Sequence, residues 1–211
     1  MSRLYNEVAG RNLDRLAALS DGIFAFALTL LVLDIKIPLP PPGYPFHSEA
    51  ELLHAIVPLA PHLVVALMTF MTLGIFWVGQ QTQLEQFTSS DRNLTWIHIG
   101  FLFAVVMMPF STALLGQYIT YRTALLVYWF NILALGFWLY ASVTYAKRAQ
   151  LFREGLGLHV INVHRRIVVA QSLYALGAML SLINTYVSIG FIVLVQLNYV
   201  LAPRLNFLYR L

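Results

Sequence analysis

Charged residues fall in clusters along this chain and leave long stretches between them empty. Gly100 to Tyr121 carries no charge, nor does Thr123 to Ala146, and Ile167 to Pro203 runs 37 residues without one. A bilayer core of about 30 Å is crossed by roughly 20 apolar helical residues. Each stretch is therefore long enough to cross once. The last would measure about 55 Å as one helix, so it predicts two crossings. The pattern predicts spans at 14–36, 56–79, 94–116, 123–146, 165–184 and 187–203. Pro58 and Pro61 open the second, where the first turns of a helix tolerate proline. Asp91-Arg92-Asn93 separates the second and third, Gly116 to Arg122 the third and fourth, and Lys147 to Arg166 the fourth and fifth. Asn184, Ser188 and Gly190 mark the turn between the last two.

Composition turns this pattern into a fold class. Of 211 residues, 59% are hydrophobic and 10% charged, where a soluble domain carries about 25% charged. The expectation is an all-α integral membrane protein, with residues 1–211 forming a single six-span domain. With no cysteine, disulfide and thiol chemistry are excluded. The first apolar run does not read as a cleavable signal. Arg11, Asp14, Arg15 and Asp21 precede it, and it runs into the stiff segment Leu39-Pro-Pro-Pro-Gly43.

Charge then orients the spans. With the N-terminus inside, the cytoplasmic segments hold Arg3, Arg11, Arg15, Arg92, Lys147, Arg148, Arg153, Arg165, Arg166, Arg204 and Arg210; the outside keeps Lys36 and Arg122. Eleven against two is a strong positive-inside bias, and it predicts a multi-pass protein of the cell membrane with both termini cytoplasmic. The formal charge of +4 is accounted for by topology, so nucleic acid is not an expected partner; membrane lipid is. The chain has no internal repeat, so a pore on a symmetry axis needs several copies.

The first span is unusual. Twelve uncharged residues separate Asp21 from Asp34, about 20 Å along a helix and less than the hydrocarbon core. In lipid, one carboxylate would sit in hydrocarbon at a cost of several kcal/mol. The helix is expected to be shielded by protein or to line water. Gly22, Ala25 and Ala27 would let other helices approach closely. Arg15 and Asp21 do not share a face, so each needs partners elsewhere, with Ser20, Asn93, His98 and Trp77 as candidates.

These residues also carry a resemblance. Arg15-Leu-Ala-Ala-Leu-Ser20-Asp21-Gly22, running into Ala-Leu-Thr29-Leu-Leu-Val-Leu33-Asp34-Ile35, resembles the signature of the transmembrane protein 175 family, potassium-permeable channels of endolysosomes and prokaryotes. Leu19 stands where the family has Phe. Phe76-Trp77-Val-Gly-Gln80-Gln81 is similar to the block ending the family's second span, with Gln80 and Gln81 where many relatives have paired His. Asn93-Leu94 and Met108-Pro109-Phe110-Ser111-Thr112 are similar to its third span. The resemblance implies six helices per repeat and, for a single-repeat prokaryotic form, a homotetramer whose first helices line a central pore. It implies potassium as the permeant ion and no cofactor.

No Thr-Val-Gly-Tyr-Gly type filter loop of backbone carbonyls occurs in the chain. The resemblance implies instead a narrowing of apolar side chains on the first helix, and alignment of the signature puts it at Phe26, where relatives have Ile or Leu. Helical periodicity puts Thr29, Leu30 and Leu33 on the same stripe. Such a ring gates by excluding water, and the Thr29 hydroxyl could contact a partly dehydrated ion. A rival stripe runs through Ile23, Ala27 and Leu30. Arg15, Ser20 and Asp21 read as a helix-packing network. Asp34 reads either as an outer-mouth carboxylate that concentrates cations or as a solvated helix end. The six histidines show no metal-ligand pair such as His-Glu-x-x-His, and no Gly-x-Ser-x-Gly elbow occurs. His98, inside a span, reads as polar packing or as a proton relay. An enzyme is not expected. A secondary transporter would want inverted repeats and broken helices; it and a proton or cation leak pathway are the alternatives.

Overall fold

The computed structural model describes residues 12–33, 35–40, 42–153, 155 and 160–201. Among them it is helical, and the helices follow the apolar stretches. We number them α1 (Leu13–Leu33), α2 (Glu49–Ile56), α3 (Ala60–Glu85), α4 (Arg92–Gln117), α5 (Arg122–Arg148), α6 (Val160–Leu180) and α7 (Thr185–Val200). A single 3-10 turn, Val57–Leu59, joins α2 to α3.

The polar clusters act as caps. The Ser48 side chain accepts from the Glu51 amide at 3.3 Å, Asp91 from Leu94 at 2.8 Å and Asn184 from Tyr186 at 2.7 Å. Each satisfies a donor that a helix start leaves orphaned. Pro58 and Pro61 lie in the 3-10 turn and the first turn of α3, as expected. Pro109 lies inside α4, a position that membrane helices tolerate.

Several boundaries differ from the sequence reading: α3 runs on to Glu85 and α6 starts at Val160. Helix precedes the second span by about two turns, because Ser48 caps it and Glu49 and Glu51 favour its first turn, so the run Glu49–Glu85 is 37 residues long. The turn between the last two helices is Ser181–Ile183, with Asn184 as the cap; Ser188 and Gly190 are helical. Ser188 is spent inside the bundle, donating to the Gly177 carbonyl at 2.6 Å. Arg122 closes this end by donating to the Leu182 carbonyl at 2.9 Å. Arg3, Arg11, Asp34, Arg204 and Arg210 lie outside the described residues.

Among the described residues, four helical runs are long and apolar enough to cross a membrane: α1, α2–α3, α4 and α5. The 16-residue α7 is apolar but shorter, and α6 carries His164, Arg165 and Arg166 in its second turn.

Packing separates α1 from the rest. Helices α3 to α7 close into a ring, each against the next, with α7 returning to α3. Helix α1 sits outside that ring, on the edge made by α3 and α4. The ring encloses Met68, Val105, Leu125, Tyr128, Ile132 and Ile192, all fully buried. Its middle is also polar. Thr69 bonds Thr112 (2.7 Å), Tyr128 bonds Thr69 and Thr72, and Gln196 Nε2 donates to Thr72 at 2.6 Å. These bonds join α3, α4, α5 and α7 where hydrocarbon would leave such groups unpaired. At the end carrying Asp91, the loops after α3 and α5 meet. Phe87 and Phe152 pair edge-to-face at 5.1 Å, and Thr88 and Arg153 exchange backbone bonds with Leu151 and Gln86.

Candidate functional site on the first helix

Helix α1 has two unlike faces. Leu16, Ser20, Phe24, Ala27 and Leu31 recur every three or four residues and are buried against the ring. The opposite face is bare within one chain. It carries Phe26, 65% exposed, and Leu33, 77% exposed, with Thr29 exposed between them and Leu30 half-buried at the edge. Ala27 is only 2% exposed, so the rival stripe of Ile23, Ala27 and Leu30 turns into the bundle. The expected shielding of this helix is thus supplied by the chain on one face alone.

The Thr29 hydroxyl donates to the Phe26 carbonyl at 2.8 Å. Its proton is committed to the helix, and its lone pairs remain as acceptors.

The signature residues anchor α1 to α3. Asp21 Oδ1 accepts from Trp77 Nε1 and from Gln81 Nε2, both at 2.7 Å. One residue earlier on α1, the buried Ser20 hydroxyl donates to Gln80 Oε1. Gln80 Nε2 reaches His98 Nδ1 at 3.4 Å, and His98 Nε2 reaches the Ser142 hydroxyl at 3.1 Å. One chain of side-chain bonds therefore runs from α1 through α3 and α4 to α5, and Ser20, Gln80, His98 and Ser142 are all buried.

Of the candidate partners, Trp77 meets Asp21. His98 acts on Ser20 through Gln80. Asn93 instead donates to Tyr145 at 3.1 Å. Arg15 is exposed; its backbone amide is capped by Asn12 at 3.0 Å, and it meets neither Asp21 nor the candidate partners. Gln80, Gln81 and Ser142 were not singled out as partners in the sequence. Gln80 and Gln81 stand in the second resemblance block, the one available signal; Ser142 has none. Among the described residues no group of three or more His, Asp or Glu is placed to hold a metal.

The fold and this helix define a multi-pass α-helical membrane protein with an externally mounted first helix. A family model described as the endosomal/lysosomal potassium channel TMEM175 matches residues 15–109. A potassium channel of Chamaesiphon minutus is 28% identical over 181 residues, 83% of this chain and 87% of that one. A potassium channel of Streptomyces collinus is 35% identical over 105 residues, half of this chain; the aligned stretch spans 48% of that relative's length. The fold is similar to the crystal structure of a lysosomal potassium-selective channel TMEM175 homologue from Chamaesiphon minutus, with a TM-score of 0.76 at 26% identity over 90% of this chain and 97% of that one. The chain is similar to the TMEM175 family over its N-terminal half, and the relatives it matches along most of its length are named as potassium channels.

Proposed function

We propose that the chain forms a potassium-permeable cation channel of the cell membrane, in which four copies meet around α1 and Phe26 forms the narrowest ring. Residues 1–211 act as one six-span domain with both termini cytoplasmic. The observation that carries this reading is the bare face of α1. A membrane helix whose uncovered stripe holds Phe26, Thr29 and Leu33, and whose other face is bonded to its own bundle, is suited to face identical helices across an axis. A narrowing of apolar rings excludes water, and no loop of filter carbonyls is needed. Potassium enters because it gives up its hydration shell more readily than sodium, with the Thr29 lone pairs offering replacement oxygens. Asp34 would concentrate cations at the outer mouth. Ser20 and Asp21 hold the helix in register rather than touching the ion.

The test is purified protein in liposomes under potassium or sodium gradients, read as electrical current. Current that reverses near the potassium potential and does not saturate like a carrier is expected. Saturable, substrate-coupled flux would replace the channel with a secondary transporter.

A further inference from the structure

We infer that the groove between α5 and α6 binds one anionic phospholipid, its acyl chain lying along the helices and its phosphate held between Lys147 and Arg165. The groove has a volume of about 350 Å³, and Leu133, Phe137 and Tyr140 form its α5 wall. These three continue through Thr144 to Lys147 along one helical stripe, at steps of four, three, four and three residues. On α6, Val168 and Ser172 line the groove and share a helical stripe with Arg165, at steps of three and four along the chain. Both apolar walls therefore end, at the same end of the bundle, on an exposed cation. Among the described residues neither cation has an ion-pair partner.

The floor of the groove is fixed by its own structure. Gly136 has no side chain, and Gln171 crosses its face to donate to the Ile132 carbonyl at 3.2 Å; a Cβ at position 136 would lie 1.9 Å from Gln171 Nε2. Toward the cations, His164 bonds Thr144 at 3.0 Å and stacks on Tyr140 at 4.2 Å. Two helices fixed at both points leave a furrow between them, and Phe137 and Val168 on its walls are more than half exposed. Helix α1 packs on α3 and α4, so contacts between copies through its bare face leave this furrow to the lipid. Basic side chains at a membrane surface favour anionic over zwitterionic headgroups, and two of them in one site correspond to roughly tenfold or more in affinity.

Native mass spectrometry of the purified protein, titrated with phosphatidylglycerol or phosphatidylcholine of identical chains, reads this site without any measurement of flux. The wild type is expected to bind phosphatidylglycerol about tenfold more tightly. Lys147→Gln with Arg165→Gln should erase the preference. Arg148→Gln with Arg153→Gln, which removes the same charge from the C-terminal end of α5 and the loop after it, should keep it. Ser172→Phe, which fills the groove from an exposed position, should weaken both lipids. Equal binding of the two lipids by the wild type, a preference that survives in the Lys147/Arg165 variant, or undiminished binding to Ser172→Phe would each overturn the assignment.

Discussion

Trp77 on α3 donates its indole N–H to Asp21 on α1 across 2.7 Å, and the same carboxylate oxygen takes a second bond from Gln81. A carboxylate that accepts two side-chain donors is a stronger tie than either neutral bond alone, about 1.5–3 kcal/mol per bond to a charged group. Asp21→Ala should therefore loosen α1 from the ring. The expected result is a drop in thermal stability and in the assembled fraction on size exclusion, with Asp21→Asn intermediate because its oxygen still accepts. Unchanged melting and assembly in Asp21→Ala would remove the anchoring role.

Phe26→Ala should raise ion flux in liposomes at matched protein content. Removing a phenyl group from each copy widens the tightest ring and admits water, which lowers the dehydration barrier. The companion change, Thr29→Ala, deletes the oxygen while sparing the ring. It should reduce the potassium-over-sodium preference with little rise in current. If Phe26→Ala assembles and conducts as before, the residue is a packing group and the narrowing lies elsewhere.

His98→Leu should cost stability without altering ion preference. The substitution leaves Gln80 Nε2 and the Ser142 hydroxyl without their shared partner inside the membrane. Side-chain hydrogen bonds between membrane helices average about 0.6 kcal/mol and reach about 1.7. A loss of about 1–3 kcal/mol is expected, read as unfolding in a denaturing-detergent titration. A proton relay would predict the opposite pattern: normal stability with altered proton flux.

Gly136→Ala should destabilise by about 1–3 kcal/mol, because the new methyl overlaps Gln171 in a packed interface. Combining it with Gln171→Ala should return part of that loss. A double-mutant cycle with no coupling would show that the interface shifts to make room.

The span pattern was legible because charge clusters and apolar stretches follow directly from bilayer thickness. Caps were legible as polar residues but not as assignments. Asn184, Ser188 and Gly190 were equivalent candidates for the outer turn, and only packing decides that Ser188 is used on Gly177. The same limit applies to the site. Periodicity groups Phe26 with Thr29 and Leu33, yet it cannot say which way the stripe points; the buried Ala27 decides that in the fold. Asp21 announced itself as a charge near a span, whereas Ser142 is an ordinary serine in an apolar helix. Its partnership with His98 spans 44 positions and leaves no local trace.

The ring of α3 to α7 closes on itself, and α1 is fastened along one edge. In the proposed assembly this divides the molecule's stability into two kinds. The ring is a unimolecular object, as stable in a sparse membrane as in a crowded one. The bare face of α1 is covered only when copies meet, so its ordering follows mass action. Diluting the protein in lipid should then leave five helices intact while the sixth, the one that would carry ions, loses its partners first.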